Sequence, residues 1–359
     1  MKICCVIPSL QPGGMERVMS VLINGFIHDH NAEVHVVLYG ASREVFYGLN
    51  EGAYIHMPDW EFDKQHRTHD TFKTMRYLRK TLRSMHPDAI LSFGSRWNSL
   101  VLLSCFGLRL PIYISDRGTP ISYSKDFQFW LKKILYPKAK GIVVQTSLAE
   151  KLYRQRYRQT NFEVIGNPIR NISIPQDIQR ENAIVSVARL VDLKHFDRLI
   201  AIFESIGNQD WKLIIVGGNA DGQHILEDLQ QLRETCLLKE NIVLTGTQKD
   251  VDTYLLRSKI FAFTSSQEGF PNAIGEAMSA GLPVVSYDCI TGPSEMIENG
   301  QNGYLTKVFD DETFKERLET LMNDEDLRAK MGKQAKESIG RFSEGLIVEK
   351  FYTFITQTR

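Results

Sequence analysis

Two glutamates that could hold a hydroxyl-rich ligand stand eight positions apart in EGFPNAIGEAMSAGLPVV, residues 268–285. A carboxylate accepts two hydrogen bonds at once, which suits a pair of neighbouring hydroxyl groups. Glu268 and Glu276 lie on either side of Pro271, a residue type favoured in the first turn of a helix. The free amides of residues 270–273 then point at an anion. The alternative, an acidic side chain that only stabilises a helix start by ~0.3–1 kcal/mol, explains one glutamate and not the spacing.

Arg189 and Lys194 form a second candidate group, in ARLVDLKHFDRLI, residues 188–200. Both follow the predicted strand AIVSVA and lie where a helix begins, so their charges oppose the helix dipole. A diphosphate would neutralise them, because arginine forms forked hydrogen bonds and lysine supplies a point charge. The alternative is a surface network in which Asp192 and Asp197 pair with the two cations.

A pair of glycines, Gly13 and Gly14, lies between the first predicted strand and the first predicted helix. Glycine lets a ligand approach the backbone closely, and a helix start attracts negative charge. The segment PGGMERV is neither a complete dinucleotide fingerprint nor a P-loop, since it lacks the P-loop lysine. It predicts either a phosphate contact or a plain turn. In a later turn, Thr291 and Gly292 either line the ligand site or only shape the chain.

The elements that must position these residues alternate between strand and helix along the chain. Apolar runs such as KICCVIP, EVHVVLY, KLIIVGG and IFAFTS are separated by helical patterns. This alternation predicts an α/β fold of two doubly wound parallel sheets, with ligands beyond the carboxyl ends of the strands. The segment GNPIRNISIPQD, residues 166–177, predicts a boundary between domains 1–168 and 169–340 that face each other across a cleft. A last helix within residues 341–359 is expected to return toward the first domain.

The 359 residues carry 43 basic and 43 acidic side chains, but the two signs are unevenly distributed. Residues 1–170 hold 23 basic and 14 acidic side chains, whereas residues 171–359 hold 20 and 29. Between Tyr123 and Arg158, lysines and arginines alternate with aromatic and aliphatic side chains. A basic amphipathic surface of this kind predicts contact with an anionic bilayer, with solvated charge or core packing as the alternatives.

The cysteine content and the hydropathy of the sequence indicate the cellular compartment of the protein. The five cysteines have no metal-binding spacing, and the N-terminus is typical of a strand rather than of a secretion signal. No apolar run approaches the ~18 residues that a membrane-spanning helix needs. We therefore expect reduced thiols and a cytoplasmic protein at the inner face of the cell membrane.

Arg189 with Lys194, the EGFPNAIGE segment and the later GLPVVSYDCITGPSE together resemble the retaining glycosyltransferases of family four, which have the GT-B fold. The resemblance extends over nearly the whole chain. It is greatest for bacterial enzymes that build O-antigen, capsule or exopolysaccharide repeat units on lipid carriers. It implies a hexosyltransferase that moves a hexose or N-acetylhexosamine from a UDP-sugar to a glycan acceptor carried on a polyprenyl diphosphate. It implies no nucleic-acid partner.

The same resemblance implies a role for each candidate residue. Arg189 and Lys194 would bind the donor diphosphate, Glu276 the ribose, and Glu268 the transferred sugar as a catalytic group. The base would lie near LTGTQKD, residues 244–250. Further donor contacts would come from Gly14, Phe270, Pro271, Asn272 and Ala273. The resemblance implies no metal or cofactor, because the relatives carry no metal-binding Asp-x-Asp motif; cations and helix starts would stabilise the leaving diphosphate instead.

Arg117 departs from the family pattern. Many relatives carry a histidine after a strand of the first domain, where the segment ISDRGTPIS places Arg117. Arg117 is therefore a second catalytic candidate, in contact with the sugar, the acceptor or the diphosphate. Its alternative role is a local ion pair with Asp116. The implied mechanism is front-face displacement with retention, in which a donor phosphate oxygen takes the acceptor's proton.

Other functions remain open from the sequence alone. A glycoside hydrolase also uses paired carboxylates, but it has no need of Arg189 and Lys194. A nucleotide-sugar epimerase of the same fold would share the recognition of a diphosphate. A non-catalytic binding protein would hold the sugar nucleotide without turnover.

Overall fold

The computed structural model describes residues 1–63, 65–121, 127–158, 161–220 and 222–357, which divide into two compact units. The first unit comprises residues 1–168 and 344–359, and the second comprises residues 169–343. The division between Pro168 and Ile169 lies within the segment rich in proline and asparagine.

The first unit contains a sheet of seven strands, and every paired neighbour in it is parallel. In chain order the strands are β1 (Lys2–Ile7), β2 (Glu33–Leu38), β3 (Ala53–His56), β4 (Ala89–Phe93), β5 (Ile112–Ser115), β6 (Gly141–Val144) and β7 (Phe162–Val164). Across the sheet their order is β3-β2-β1-β4-β5-β6-β7. The apolar side chains of β1 from Ile3 to Ile7 are fully buried, as expected of a parallel strand covered on both faces.

The helices of the first unit lie on both faces of this sheet. They are α1 (Gly14–His28), α2 (Arg67–Met85), α3 (Trp97–Ser104), α4 (Phe127–Leu135) and α5 (Ser147–Arg156), together with α13 (Glu344–Thr356) at the end of the chain. Buried side chains of α2 to α5 share one core cluster with Cys4 and Val6 of β1. Helix α13 packs against α1, where a Cβ atom on Gly25 would lie 2.6 Å from Val348 Cγ1. Only glycine permits this close approach of the two helices.

The second unit contains a six-stranded parallel sheet. Its strands are β8 (Ala183–Val187), β9 (Lys212–Val216), β10 (Ile242–Leu244), β11 (Ile260–Phe263), β12 (Val284–Tyr287) and β13 (Gly303–Thr306), in the order β10-β9-β8-β11-β12-β13. The helices are α6 (Phe196–Ile206), α7 (Ile225–Thr235), α8 (Asp252–Arg257), α9 (Asn272–Ser279), α10 (Pro293–Met296), α11 (Asp311–Asn323) and α12 (Glu325–Ile339). In both sheets, later strands are added on either side of a central first strand, which is the doubly wound arrangement. The prediction of two Rossmann-like parallel sheets is therefore confirmed.

Two local features complete the fold. The side chains of Asp310 and Asp324 accept hydrogen bonds from Thr313 N and Leu327 N at the starts of α11 and α12, and so satisfy amides that a helix start leaves unpaired. Across the described ranges, no helix combines the length and the apolar composition that crossing a lipid bilayer requires.

Candidate active site

Arg189 and Lys194 lie in the loop that follows β8, at the carboxyl edge of the second sheet. The loop makes a short 3₁₀ turn, Asp192–Lys194, and His195 at φ 50° connects this turn to α6. Lys194 thus ends a separate turn rather than starting the long helix. Arg189 is exposed, and the described residues give it neither an ion pair nor a hydrogen bond to its side chain. The predicted surface network with Asp192 and Asp197 is accordingly not formed.

Glu268, in the loop after β11, forms an ion pair with Lys194. The two side chains are only 13% and 18% exposed. Ser265 Oγ donates a second hydrogen bond to the same carboxylate oxygen, Oε1, at 2.6 Å. Within the described residues, Oε2 has no hydrogen-bond partner. The carboxylate is therefore fixed through one oxygen, and the other can accept hydrogen bonds from a ligand.

Hydroxyl groups join the loop after β11 to the loop after β8. Thr264 Oγ1 donates to Lys194 O at 2.8 Å, and Ser266 Oγ lies 2.8 Å from His195 Nε2. These bonds fix the backbone on both sides of the Lys194–Glu268 pair. The TSS run, residues 264–266, was missed in the sequence, although its three consecutive hydroxyl side chains directly follow a strand.

A cavity of about 150 Å³ opens beside this ion pair. Most of the residues that were predicted to bind the sugar-nucleotide donor line it: Arg189, Lys194, Glu268, Phe270, Pro271, Asn272 and Ala273. The structure therefore brings two cations, one carboxylate and the start of α9 to one place, as an anion bearing hydroxyl groups would require.

The start of α9 differs in detail from the prediction. Pro271 flanks the helix and Asn272 begins it, so the proline precedes the first helical residue. The amide of Asn272 donates to Phe270 O at 3.1 Å, and it is not a free amide as the sequence suggested. The ring of Phe270 is 7% exposed and packs 5.4 Å from Phe342 between ring centroids. The side chain of Phe270 therefore belongs to the core of the second unit.

Glu276 does not line this cavity. Its Oε1 atom lies 3.5 Å from Nε of Arg170, and the guanidinium of Arg170 also forms a two-pronged ion pair with Asp252. The hydrogen bonding that Arg170 donates to Asp252 is the largest of the effects that raise the pKa of Arg170. Arg170 was missed in the sequence because its partners lie far along the chain. Glu276 is thus oriented by a cation from the segment that precedes β8.

The Thr291-Gly292-Pro293 turn supports the Glu268 loop. Thr291 is buried, and its hydroxyl donates to the backbone carbonyl of Glu268. Gly292 has φ 108°, and a Cβ atom there would lie 2.2 Å from Cδ of Pro271. A residue with a side chain would be strained in this backbone conformation, and its Cβ atom would clash with the proline ring. Of the two roles left open by the sequence, the turn shapes the chain and does not line the cavity.

The turn predicted to lie near a base follows β10. Gly217 N donates to Gly246 O at 3.1 Å, and a Cβ atom on Gly218 would lie 2.0 Å from Thr247 Oγ1. The turns after β9 and β10 are therefore in direct contact at the edge of the sheet where Arg189 lies.

In the first unit, Gly14 begins α1 and is exposed. Tyr47 fixes the turn before it, since the tyrosine hydroxyl donates to Gly13 O and accepts from Gly13 N, both at 3.0 Å. Two hydrogen bonds to Tyr47 thus hold the turn, and Gly14 itself is exposed.

Arg117, after β5, turns into the first unit. Its guanidinium donates to Ser115 Oγ at 3.1 Å and to the side chain of Asn167, and it lies 4.8 Å from the ring centroid of Phe93. Burial lowers the pKa of Arg117, and the nearby Asp116 carboxylate acts in the opposite direction. The side chain is thus held by polar and aromatic contacts within its own unit.

Asp116 pairs with other residues, so the predicted local ion pair between Asp116 and Arg117 is wrong. The buried carboxylate accepts from Tyr136 Oη at 2.7 Å and from Lys132 Nζ at 3.1 Å. Burial acts to raise the pKa of Asp116, but Lys132 and Tyr136 outweigh it and the pKa lies below its usual value. One of the basic residues predicted to face a membrane, Lys132, is therefore directed inward.

The basic stretch that ends at Arg158 is only partly an exposed amphipathic surface; its first residue, Tyr123, lies outside the described residues. On α4, Phe127, Trp130 and Ile134 are 75%, 51% and 63% exposed, whereas Leu135 is buried. Their spacing puts the three exposed side chains on one face of the helix. The alternative of core packing is correct for Leu135 and wrong for Trp130.

Two family models match consecutive parts of the chain. The model described as "Glycosyl transferases group 1" matches residues 168–338, and that of "Glycosyltransferase Family 4" matches residues 12–170. Together they extend over nearly the whole sequence, and they meet at the boundary between the two units.

Curated relatives and solved structures agree with these matches. The chain is 28% identical to the amylovoran biosynthesis glycosyltransferase AmsD of Erwinia amylovora, over 94% of this chain and 95% of the relative. It is 25% identical, over 100% of this chain and 99% of the relative, to an α-1,4-N-acetyl-D-galactosaminyltransferase of Campylobacter jejuni. The name of that enzyme gives its substrate as a glycan on PP-undecaprenol. The structure of Anabaena HepE in complex with UDP superposes with a TM-score of 0.82 over 98% of each chain at 19% identity, which shows a common fold.

Proposed function

This chain belongs to the glycosyltransferases of group 1 and family four, and from this we propose that it moves a hexose or N-acetylhexosamine from a UDP-sugar to a glycan acceptor with retention of configuration. The observation that carries the proposal is the cavity in which Arg189, Lys194 and Glu268 meet the start of α9. Cations suit the diphosphate of a sugar nucleotide, and a carboxylate suits its hydroxyl groups. Bound UDP and UDP-glucose in structures of HepE, a protein of the same fold, support this choice of donor.

The donor would replace part of the present ion pairing. When the diphosphate binds, Lys194 can turn from Glu268 toward phosphate oxygens, and Arg189 can close on them from the exposed side. Glu268 is then available to accept hydrogen bonds from the transferred sugar. We propose that these cations neutralise the leaving diphosphate without a metal ion, as preorganised charges do at other sites of developing negative charge.

In the proposed reaction, the bond between the anomeric carbon and the UDP oxygen breaks, and a bond to the acceptor oxygen forms on the same face of the sugar. The acceptor hydroxyl loses its proton to a phosphate oxygen of the departing UDP, so that the products are the glycoside and UDP. Glu268 orients the sugar and stabilises the positive charge that develops at its anomeric carbon. Arg117 and Gly14 are proposed to contact the donor or acceptor from the first unit.

We propose an acceptor carried on a polyprenyl diphosphate, in the biosynthesis of a cell-surface polysaccharide. The relatives support this, since one is named for amylovoran biosynthesis and another for an undecaprenol-linked substrate. A lipid-linked acceptor would bring the enzyme to the inner face of the cell membrane. The exposed Phe127, Trp130 and Ile134 of α4 fit a peripheral contact with the bilayer interface.

A donor screen tests the proposal. Thermal unfolding with UDP-glucose, UDP-galactose, UDP-N-acetylglucosamine, UDP-N-acetylgalactosamine and GDP-mannose should show a rise in melting temperature for UDP compounds, because a ligand that binds only the folded state stabilises it. UDP release should then occur with one UDP-sugar and should persist in EDTA. Stabilisation by GDP-mannose alone would contradict the choice of nucleotide. Conversion of a UDP-sugar to its epimer without acceptor would indicate the epimerase alternative.

Arg170 provides a prediction about the ribose contact. Replacing Arg170 by alanine removes the cation that orients Glu276. KM for the UDP-sugar should therefore rise about tenfold, which corresponds to the loss of one hydrogen bond to a charged group. The value of kcat should change less. Steady-state kinetics at saturating acceptor measure both constants. The variant Arg170→Lys keeps the charge and should recover part of the loss. An unchanged KM in Arg170→Ala would show that Glu276 does not depend on this contact.

A further inference from the structure

Helices α2 to α5 form one layer of the first unit. Their buried side chains, among them Leu78 and Leu82 of α2, Val101 of α3, Leu135 of α4 and Tyr153 of α5, belong to one core cluster on the same face of the sheet. Helix α3 contacts both α2 and α4. The outer sides of α2, α3 and α4 are therefore neighbouring parts of one surface of the first unit.

Helix α2 presents a row of cations on the outer side of this layer. Its buried positions are Asp70, Thr74, Leu78 and Leu82, which recur every four residues. The opposite side carries five exposed basic residues at helical spacing: Lys73, Arg76, Arg79, Lys80 and Arg83. We call these five residues the α2 basic face.

In the described parts of the chain no carboxylate lies within ion-pair distance of the α2 basic face, although the charge of Lys73 contributes, after the hydrogen bonds from Asp63 N and His69, to lowering the pKa of Asp70. Arg79 donates to the backbone carbonyls of Ser104 and Phe106, and none of the five forms an ion pair there. The one acidic residue of α2, Asp70, is buried and accepts hydrogen bonds from Asp63 N and His69. Like charges three and four residues apart destabilise a helix, so an anionic partner would relieve this repulsion.

A groove beside α2 gives the basic face the form of a binding site. Its volume is about 1010 Å³, and residues of the α2 basic face share its lining with Trp60 and Tyr77. Lys73 Nζ lies 4.3 Å from the centroid of the Trp60 ring, and Asp59 is the one acidic residue of the lining in the described structure. Cations around an amphipathic ring suit a phosphate group that is attached to an apolar body.

Exposed apolar side chains lie on the same layer. Phe72 of α2 is 63% exposed, and Phe106, whose carbonyl binds Arg79, is 59% exposed. With Trp130 and Ile134 of α4, they place exposed aliphatic and aromatic groups on the same helical layer as the cations. A nucleic acid would use the cations and stack on aromatic rings, but it offers nothing to an exposed isoleucine. A bilayer interface accommodates all of these groups.

We propose that the α2 basic face and its groove bind the phosphate headgroups of an anionic bilayer, while the exposed apolar side chains Phe72, Phe106, Trp130 and Ile134 enter the interface. This inference rests on the proposed function. It adds to the membrane contact proposed there, because it assigns the positive charge of the docking surface to α2. In the stretch that includes α4 and α5, by contrast, Lys132 pairs with Asp116 and Arg154 with Glu150. Lys133, Lys138 and Lys140 of that stretch are exposed, but they are not gathered on one helix face as the five cations of α2 are, so we assign the main electrostatic attraction to α2.

Co-sedimentation with vesicles tests the assignment. The full-length protein should bind vesicles that contain phosphatidylglycerol, and it should not bind vesicles of phosphatidylcholine alone. In the triple variant Arg76→Gln/Lys80→Gln/Arg83→Gln, partitioning onto anionic vesicles should fall roughly 100-fold, since each basic residue near such a surface contributes about a fivefold factor. Added salt should weaken the binding of the wild type far more than that of the variant.

A matched control removes three other exposed lysines, in the variant Lys330→Gln/Lys333→Gln/Lys350→Gln on α12 and α13. It has the same net charge as the test variant and should bind vesicles like the wild type. Equal losses in both triple variants would mean that net charge alone attracts the protein, and would overturn the assignment to α2. So would loss of binding in Trp130→Ala/Ile134→Ala combined with normal binding in the α2 variant.

Further readouts separate this inference from the proposed function. Calorimetry of UDP binding by the α2 variant shows whether the variant is folded and whether its second unit still binds the nucleotide. If the wild type binds UDP and turns over donor but binds no anionic vesicle, the docking surface is wrong and the proposed transferase stands. Binding to single-stranded RNA in place of vesicles would likewise overturn the inference.

Discussion

Replacing Glu268 by glutamine is expected to lower kcat for sugar transfer by roughly 100-fold, the usual effect of removing one preorganised group at a site of developing charge. Glutamine keeps the size of the side chain and can still accept a hydrogen bond from Ser265. It loses the negative charge that stabilises the positive anomeric carbon, and it can no longer form the ion pair with Lys194. Single-turnover kinetics with a radiolabelled UDP-sugar would measure the effect on the chemical step.

Measuring the binding of the product UDP to the same variant separates a loss of catalysis from a loss of folding. In Glu268→Gln, Lys194 is no longer shared between a carboxylate and the diphosphate, so UDP should still bind although transfer is slow. The control variant Glu312→Gln removes an exposed carboxylate at the start of α11 and should behave as the wild type. A normal kcat in Glu268→Gln would remove Glu268 from the mechanism. Loss of UDP binding together with a lower melting temperature would show that the pair is needed mainly for folding.

Replacing Arg189 by alanine should weaken UDP binding roughly 10- to 100-fold, because a hydrogen bond to a charged group contributes about 1.5–3 kcal/mol. The side chain is exposed and unpaired in the described structure, so its removal leaves no charge without a partner and should not change the melting temperature. Isothermal titration with UDP, with and without EDTA, measures the affinity.

The variant Arg189→Lys refines this result. Lysine keeps the positive charge but lacks the planar fork that matches two phosphate oxygens, so its affinity for UDP should fall between those of wild type and alanine variant. If Arg189→Ala binds UDP as the wild type does, the diphosphate does not occupy the cavity between Arg189 and the start of α9. Equal affinities for the lysine and alanine variants would show that charge alone is not the basis of binding.

Both sheets were predictable from the sequence because strands that are buried on both faces consist of nearly continuous runs of apolar residues. The same argument located the candidate site, since residues after parallel strands meet at one edge of the sheet. Arg189, Lys194 and Glu268 could therefore be grouped although 74 residues separate Lys194 from Glu268. Grouping them needed only the strand positions and not the course of the loops.

The contacts that sequence reasoning missed depend on side-chain direction. Asp116 and Arg117 are neighbours directly after β5, yet Asp116 pairs with Lys132 and Tyr136 whereas Arg117 binds Ser115 and Asn167. Arg170 meets Asp252 across 82 residues, a contact that no local pattern encodes. The charged residues of α2 were visible in the sequence, but with few aromatic residues among them they did not match the pattern used for a membrane surface.

The position of α13 has a consequence for how the polypeptide folds during translation. Ile347, Val348 and Phe351 are almost fully buried in the first unit, yet the ribosome produces them after the entire second unit. At ~5–20 residues per second, the nascent first unit waits on the order of 10 s or more with the part of its apolar face that α13 covers still exposed. The second unit is continuous in sequence and can fold first, so a chaperone that shields the waiting face should matter more for the yield of this protein than for its final stability.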